Sequence, residues 1–293
     1  MENLTYKRIL IPTDFSDTAD LALLHAIDMA KRTQAEIILL HVVVSFAFKG
    51  GINSPDAEKG QTLIEIVEEK LGLKAAEIKA QYDFNLITRV AVGSIRDEVI
   101  KAAEETGSDI IVLGTHGVSG IKEFFMGSNA FRIVSESLCP VLSVQVTAQQ
   151  KGFKNILVPI DNSFHSREKL NLAIRFANTY DAQLHICGLR SHDHDDHDLN
   201  TRFRLKMQQV EEYIAEHHAA FSVSTLFCSN IAKTTMEYAA EKNADLIIIM
   251  NEQETNTAGF FMGPYAQQVV NHSTIPVLSV PPATGYYNTV APY

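Results

Sequence analysis

The sequence predicts an α/β protein of two tandem, doubly wound domains, each built on a five-stranded parallel sheet. Three observations predict it. First, the chain repeats itself. Ile9-Leu10-Ile11-Pro12-Thr13-Asp14 returns as Ile156-Leu157-Val158-Pro159-Ile160-Asp161, and Phe124-Phe125-Met126-Gly127 returns as Phe260-Phe261-Met262-Gly263. Pro140-Val141-Leu142-Ser143-Val144 returns as Pro276-Val277-Leu278-Ser279-Val280. Second, short apolar runs alternate with longer segments of helical period within each copy. Third, strands joined through helices run parallel, and right-handed crossovers then put helices on both faces of the sheet.

The elements of the first copy follow in order. Residues 8–12 are a short apolar run of buried-strand type. Ser16 suits a helix N-cap, with Asp17 and Asp20 in the first turn. Ala19, Ala22, Leu23, Ala26, Ile27 and Ala30 then fall on one helical face. Residues 36–44 read as a strand, and 45–59, with Gly50-Gly51 and Pro55, as a loop. A charged amphipathic helix is expected over 61–81, a strand over 84–92, a helix over 95–105 and an apolar strand over 109–114. A helix over 128–138 and a last strand over 140–146 complete the copy.

The copies lie 147 residues apart at Asp14 and Asp161 but 136 apart at Pro140 and Pro276. The second copy has therefore lost residues in its middle. The boundary falls in a polar stretch near 147–152, giving expected domains 1–148 and 152–282 and a tail 283–293. The last strand of each copy is apolar and would lie at a sheet edge, which invites pairing. The two copies are expected to pair with each other as an intramolecular pseudo-dimer, with a further homodimer left open.

Composition narrows the function classes. At 46% hydrophobic and 20% charged, the 293 residues can bury a sizeable core. A net charge of −10 argues against nucleic acid as a partner, because phosphate backbones select basic faces. No apolar run is long enough to span a bilayer, and residues 1–8 lack a signal-peptide core, so no membrane partner and a cytoplasmic location are expected. Cys139, Cys187 and Cys228 are scattered in apolar contexts and read as reduced thiols.

In doubly wound sheets ligands bind beyond the carboxyl ends of the strands, where strand order reverses. In the first copy Thr13-Asp14 follows the first strand, Val42 lies near the end of the second, and Gly114-Thr115-His116-Gly117 follows the fourth. A glycine there lets backbone approach a ligand. Gly127-Ser128-Asn129 opens a helix, whose free N–H groups and positive dipole end suit a phosphate. Neither a GxxxxGK[ST] loop nor a strand-linked GxGxxG is present, which disfavours a P-loop ATPase or a dinucleotide dehydrogenase.

The spacing Gly114-x2-Gly117-x9-Gly127-Ser128 resembles the ATP-binding motif of the universal stress protein family. The likeness extends through Pro12-Thr13-Asp14-Phe15-Ser16 at the start and Pro140-Val141-Leu142-Ser143-Val144 at the end. It implies an adenine nucleotide alpha hydrolase-like fold in each domain and an adenine nucleotide (ATP, ADP or AMP, with Mg²⁺ as an optional companion) as ligand. It implies that Pro12, Thr13, Asp14 and Val42 form the adenine and ribose side. Gly114, His116 and Gly117 would then form the floor towards the phosphates, and Gly127, Ser128 and Asn129 the triphosphate cradle. Asn129 departs from the Val or Thr usual there. His116 is read as a loop residue near the phosphates rather than a general base, since no partner acid is evident. His41 is read as a satisfied sheet residue.

In the second copy Gly114 is replaced by Met250, Gly117 by Gln253 and Ser128 by Pro264; only Gly263 survives. Nucleotide is therefore expected in the first domain alone, in a stress-response regulatory protein without catalytic residues. The alternatives are a slow ATPase using the same pocket, or a ligand-free scaffold carrying metal on a histidine-rich loop. That loop, 192–198, offers His192, His194 and His197, but reads first as a solvated acidic connection, because sequence-local clusters rarely close a tetrahedral site.

Overall fold

The computed structural model describes residues 3–44, 55–115, 127–148, 152–191, 197–251 and 262–282. The chain divides into two compact units, Thr5–Gln150 and Lys151–Tyr293 with Met1–Leu4. The first unit runs β1 (Arg8–Pro12), α1 (Asp17–Thr33), β2 (Glu36–Val44), α2 (Pro55–Gln81), β3 (Leu86–Gly93), α3 (Ile95–Thr106), β4 (Ile110–Gly114), α4 (Ser128–Glu136) and β5 (Val141–Val144). The second runs β6 (Asn155–Ile160), α5 (Leu170–Tyr180), β7 (Gln183–Ser191), α6 (His197–Glu216), β8 (Phe221–Cys228), α7 (Ile231–Glu241), β9 (Leu246–Met250), α8 (Pro264–His272) and β10 (Val277–Val280).

The first sheet has the order β3-β2-β1-β4-β5 and the second the matching order β8-β7-β6-β9-β10, with every pair parallel. The chain builds outward from β1 through β3, then crosses back to lay β4 on the other side of β1. Strand order therefore reverses between β1 and β4, which defines the ligand-binding end of the sheet. At the opposite end a carboxylate staples the same two strands. Asp109 accepts the N–H groups of Lys7 and Arg8 at 2.6 and 2.9 Å. In the second unit Asp245 does the same for Lys154 and Asn155, at 2.7 and 3.1 Å. The central strands are fully buried: Ile9, Leu10, Ile11, Ile111 and Val112 are at 0% exposure, as are Ile156, Leu157, Ile247 and Ile248. Burial on both faces explains why these strands read as continuous apolar runs.

Helix α1 starts where its signals place it. Ser16 caps it by accepting the Ala19 N–H at 3.2 Å, a contact worth about 1 kcal/mol. Its buried stripe includes Ala19, Ala22, Leu23, Ala26, Ile27 and Ala30. Several boundaries differ from expectation. Residues 55–60 are helical, so the loop expected over 45–59 is shorter. Pro55 is the first residue of α2, where a missing N–H costs nothing and a fixed φ favours the helix. Likewise α6 begins at His197, inside the 192–198 segment read as a connection. The eleven residues missing from the second copy fall here: its connection is 192–196 against 45–54, and α6 starts six residues later than α2 at matched positions. Helix α4 ends at Glu136, not 138, because Ser137 turns to extended backbone and its hydroxyl receives the Cys139 N–H at 3.3 Å ahead of Pro140.

No helix among the described residues is long and apolar enough to cross a membrane. The three cysteines are free, and burial raises the pKa of each, Cys187 to about 12. None is poised as a thiolate at neutral pH.

Candidate functional site

At the carboxyl end of β1 the backbone makes two tight, side-chain-assisted turns. The Thr13 N–H donates to the Leu40 carbonyl at 2.8 Å. The Thr13 hydroxyl accepts the Phe15 N–H at 3.0 Å, and Asp14 Oδ1 accepts the Ser16 N–H at 3.0 Å. Phe15 between them has φ +64°, a conformation that costs a non-glycine residue roughly 1 kcal/mol. The turn holds Thr13 buried and Asp14 exposed. Val42 lies beside it on β2, 8% exposed.

Three side chains to which the resemblance gives no ligand role secure this turn. His41 Nδ1 lies 2.8 Å from the Thr13 carbonyl oxygen. Its ring stacks on Phe15 with centroids 4.9 Å apart, and Lys70 of α2 sets its ammonium 4.0 Å from the Phe15 centroid. Burial holds the His41 pKa below its ordinary value, outweighing the Thr13 carbonyl and Asp14, which push it up; Lys70 adds a smaller push down. The ring is therefore neutral at pH 7, and because a carbonyl only accepts, Nδ1 carries the proton and donates. The signal available in the sequence was a single imidazole interrupting the apolar run of β2.

At the end of β4, the Cβ of any residue replacing Gly114 would lie 2.9 Å from the Thr18 carbonyl carbon and oxygen in the first turn of α1. Glycine is thus required by helix–strand packing. Next, the Thr115 N–H donates to the Val144 carbonyl at 3.0 Å, and the Thr115 carbonyl accepts the Gly127 N–H at 3.1 Å. That bond fixes the start of α4 beside the end of β4. Gly127 is the N-cap and supplies no side-chain cap, and no acid occupies the first turn, in contrast to Asp17 and Asp20 of α1 and Asp97 and Glu98 of α3. The N–H groups of Ser128, Asn129 and Ala130 have no intrahelical acceptor, and residues 127–129 are exposed.

The structure therefore gathers Pro12, Thr13, Asp14, Val42, Gly114, Gly127, Ser128 and Asn129 at one end of the first sheet. His116 and Gly117 lie outside the described residues, as do His192 and His194; His197 is the first residue of α6. Among the described residues no three His, Cys, Asp or Glu side chains group as a metal site.

The matching end of the second sheet is built differently. Asp161 keeps its place, but Ser163 donates to it from both N–H (3.0 Å) and hydroxyl (2.6 Å), and Ser166 Oγ accepts the Asp161 N–H at 2.9 Å. A 3₁₀ turn, Phe164–Arg167, replaces the first turns of the helix, and α5 begins only at Leu170. The half-buried Lys206 ammonium donates to the Asp161 and Ser163 carbonyls at 3.1 and 2.9 Å. Met250 fills the place of Gly114 and Tyr265 that of Asn129. With Asp161 and Ser163 they line a remaining cavity of about 10 Å³, which holds at most one water.

Buried histidines also set a pH dependence. His25, His41 and His185 all have pKa values lowered from 6.5, in each case chiefly by burial. The unfolded chain then binds more protons than the fold between those lowered values and 6.5. This contribution to stability is complete above pH 6.5 and is lost as pH falls through the folded-state values. The thermal midpoint of ligand-free protein is expected to rise from pH 5 to pH 7 at constant ionic strength. A flat profile would contradict the assignment.

Comparison with known proteins agrees with this architecture. The family model described as "Universal stress protein family" matches twice, over residues 5–145 and 152–281. Universal stress protein MJ0577 of Methanocaldococcus jannaschii is 33% identical over 157 residues, spanning 49% of this chain and 97% of its own. Universal stress protein YxiE of Bacillus subtilis is 32% identical over 147 residues, spanning 48% and 99%. A universal stress protein structure from Archaeoglobus fulgidus superposes over 94% of this chain and 98% of its own with TM-score 0.74 at 23% identity, a likeness of fold. With both halves matched, the chain belongs to the universal stress protein family as a tandem of two such domains.

Proposed function

We propose that the protein is a stress-response regulator that binds one adenine nucleotide, ATP by the family motif, in the first domain only. The observation that carries this reading is the contrast between the two switch points. In the first, the uncapped start of α4 at Gly127 is bonded to the end of β4, the strand beside β1 and its Asp14 turn. In the second, Met250, Tyr265 and the 3₁₀ turn leave about 10 Å³. The α4 start offers three main-chain donors and a positive dipole end to a polyphosphate. The neighbouring Asp14 carboxylate, with one oxygen uncommitted by the turn, offers an acceptor to ribose or base. A divalent ion accompanying the phosphates belongs to this reading as part of the ligand.

Binding rather than hydrolysis is the assigned activity. Phosphoryl transfer needs charge stabilisation and an oriented water. No lysine or arginine stands in the first turn of α4, and Lys70 sets its ammonium over the Phe15 ring. The test is to denature purified protein and quantify released nucleotide by anion exchange, with calorimetry on stripped protein. About one adenine nucleotide per chain is expected, and phosphate release far below the ~10 s⁻¹ of a median enzyme. Two nucleotides per chain would refute the silent second domain, and no binding in calorimetry would refute the nucleotide reading.

A further inference from the structure

In the first domain the parallel ladder between β1 and β2 stops one rung early. Its last pair is Pro12↔Leu40. The Thr13 N–H still donates to Leu40, but the return bond of that rung, from the Val42 N–H to the Thr13 carbonyl, is not made. In β2 the N–H groups of alternate residues face alternate neighbours. Ile37 donates toward β3, so Val42, on the opposite parity, faces β1 and the crevice. The Thr13 carbonyl that would have received it accepts instead from the imidazole of His41 at 2.8 Å.

The second domain is an internal control. Thr13 corresponds to Ile160 and His41 to Gly188, each 147 residues on. There the ladder continues through Ile160↔Gly188, the rung that the first domain leaves open. The histidine is absent, the rung is closed, and Phe15, on which the imidazole stacks, is Asn162. The open rung and the histidine thus occur together, in the first domain and not in the second.

We propose that His41 is the positioning residue of the nucleotide site: it substitutes for a sheet hydrogen bond, drawing the Thr13 carbonyl to itself and out of register with the Val42 N–H, which stays available to the edge of the bound base. Burying an imidazole inside an apolar strand is costly unless it gains such a bond. The stack on Phe15, itself held at positive φ beneath Lys70, holds the ring with Nδ1 at that carbonyl. The ligand contact is therefore main-chain, and the side chain that creates it lies behind it. This inference rests on the nucleotide reading above.

The test reads the amide of Val42 directly, by NMR-detected hydrogen exchange on the full chain, beside ATP affinity by calorimetry. In ligand-free wild type, Val42 should exchange faster than Leu189, its counterpart in the closed rung, and ATP should slow it. In His41→Ala the rung should close, so that Val42 becomes protected without ligand and ATP binds about 10-fold more weakly, the loss of one net hydrogen bond and a ring contact. His41→Asn places an amide donor where Nδ1 stood, and should restore both the fast exchange and most of the affinity. Val42 protected like Leu189 in ligand-free wild type would overturn the inference whatever the affinity. So would His41→Ala binding ATP as wild type does, or His41→Asn failing to recover while folded. Fast Val42 exchange in a wild-type protein that binds no ATP would instead sink the nucleotide reading, and the inference would fall with it.

Discussion

Gly127→Asp is expected to abolish measurable nucleotide binding while leaving the ligand-free protein as stable as wild type or slightly more so. The two effects have one cause with opposite signs. Gly127 is the N-cap of α4, with φ −59° and ψ 148°, a conformation open to any residue. Among the described residues a Cβ there meets nothing closer than the Thr115 carbonyl oxygen at 3.7 Å. Aspartate is a good N-cap and its charge suits the helix dipole, so several tenths of a kcal/mol of stabilisation are expected. That same carboxylate stands where a phosphate would sit. Two unit charges about 5 Å apart at an effective dielectric near 20 repel by roughly 3 kcal/mol, a loss of at least 100-fold in affinity. Gly263→Asp, at the N-cap of α8, supplies the control: it introduces the same chemistry in the second domain and should leave binding unchanged. Calorimetric titration with ATP and thermal unfolding of both variants decide the matter. Equal losses from the two changes would mean that the domains are not functionally distinct. Full binding by Gly127→Asp would remove the α4 start from the site.

Much of this architecture is legible in the sequence because the signals are local. The buried strands are continuous apolar runs, and Ser16 followed by Asp17 and Asp20 marks a helix start by its own chemistry. The misread features depend on partners distant in sequence. Pro55 resembles a loop residue until the helix after it is seen to begin there. The role of His41 depends on a carbonyl 28 residues away, and nothing in the run of β2 says which rung will stay open. Gly114 is the subtler case. Its position at a strand end suggests backbone reserved for a ligand, but the atoms that forbid a side chain belong to Thr18 of α1. Likewise the replacement of Gly114 by Met250 is visible in the sequence, while the retreat of α5 to Leu170 that makes room for it is not.

Gly114→Ala should therefore destabilise the first domain even with no nucleotide present. An ideal Cβ at this position lies 2.9 Å from three atoms of Thr18, two of them backbone. Backbone in a capped first turn cannot move aside as a side chain can: the Ser16 hydroxyl holds the Ala19 N–H and the Asp14 carboxylate holds the Ser16 N–H. Relief requires α1 to shift by several tenths of an ångström against a fully buried sheet. Overpacking of this kind costs about 1–3 kcal/mol, and Gly114→Met should cost still more. Urea denaturation of ligand-free variants measures it as a lowered midpoint at unchanged slope. The reverse substitution in the second domain, Met250→Gly, should also destabilise, by about 2–5 kcal/mol, because it empties a packed site that the surrounding chain has already reshaped to fill. Losses in both directions would show that each domain has adapted its helix start to the residue at the end of its fourth strand. Restoring a glycine to the second domain would then not restore a binding cleft, since the Phe164–Arg167 turn and Lys206 would still close it. A Gly114→Ala protein as stable as wild type but deficient in ATP binding would give the opposite answer: the glycine would be reserved for the ligand, and the closeness of Thr18 would be incidental.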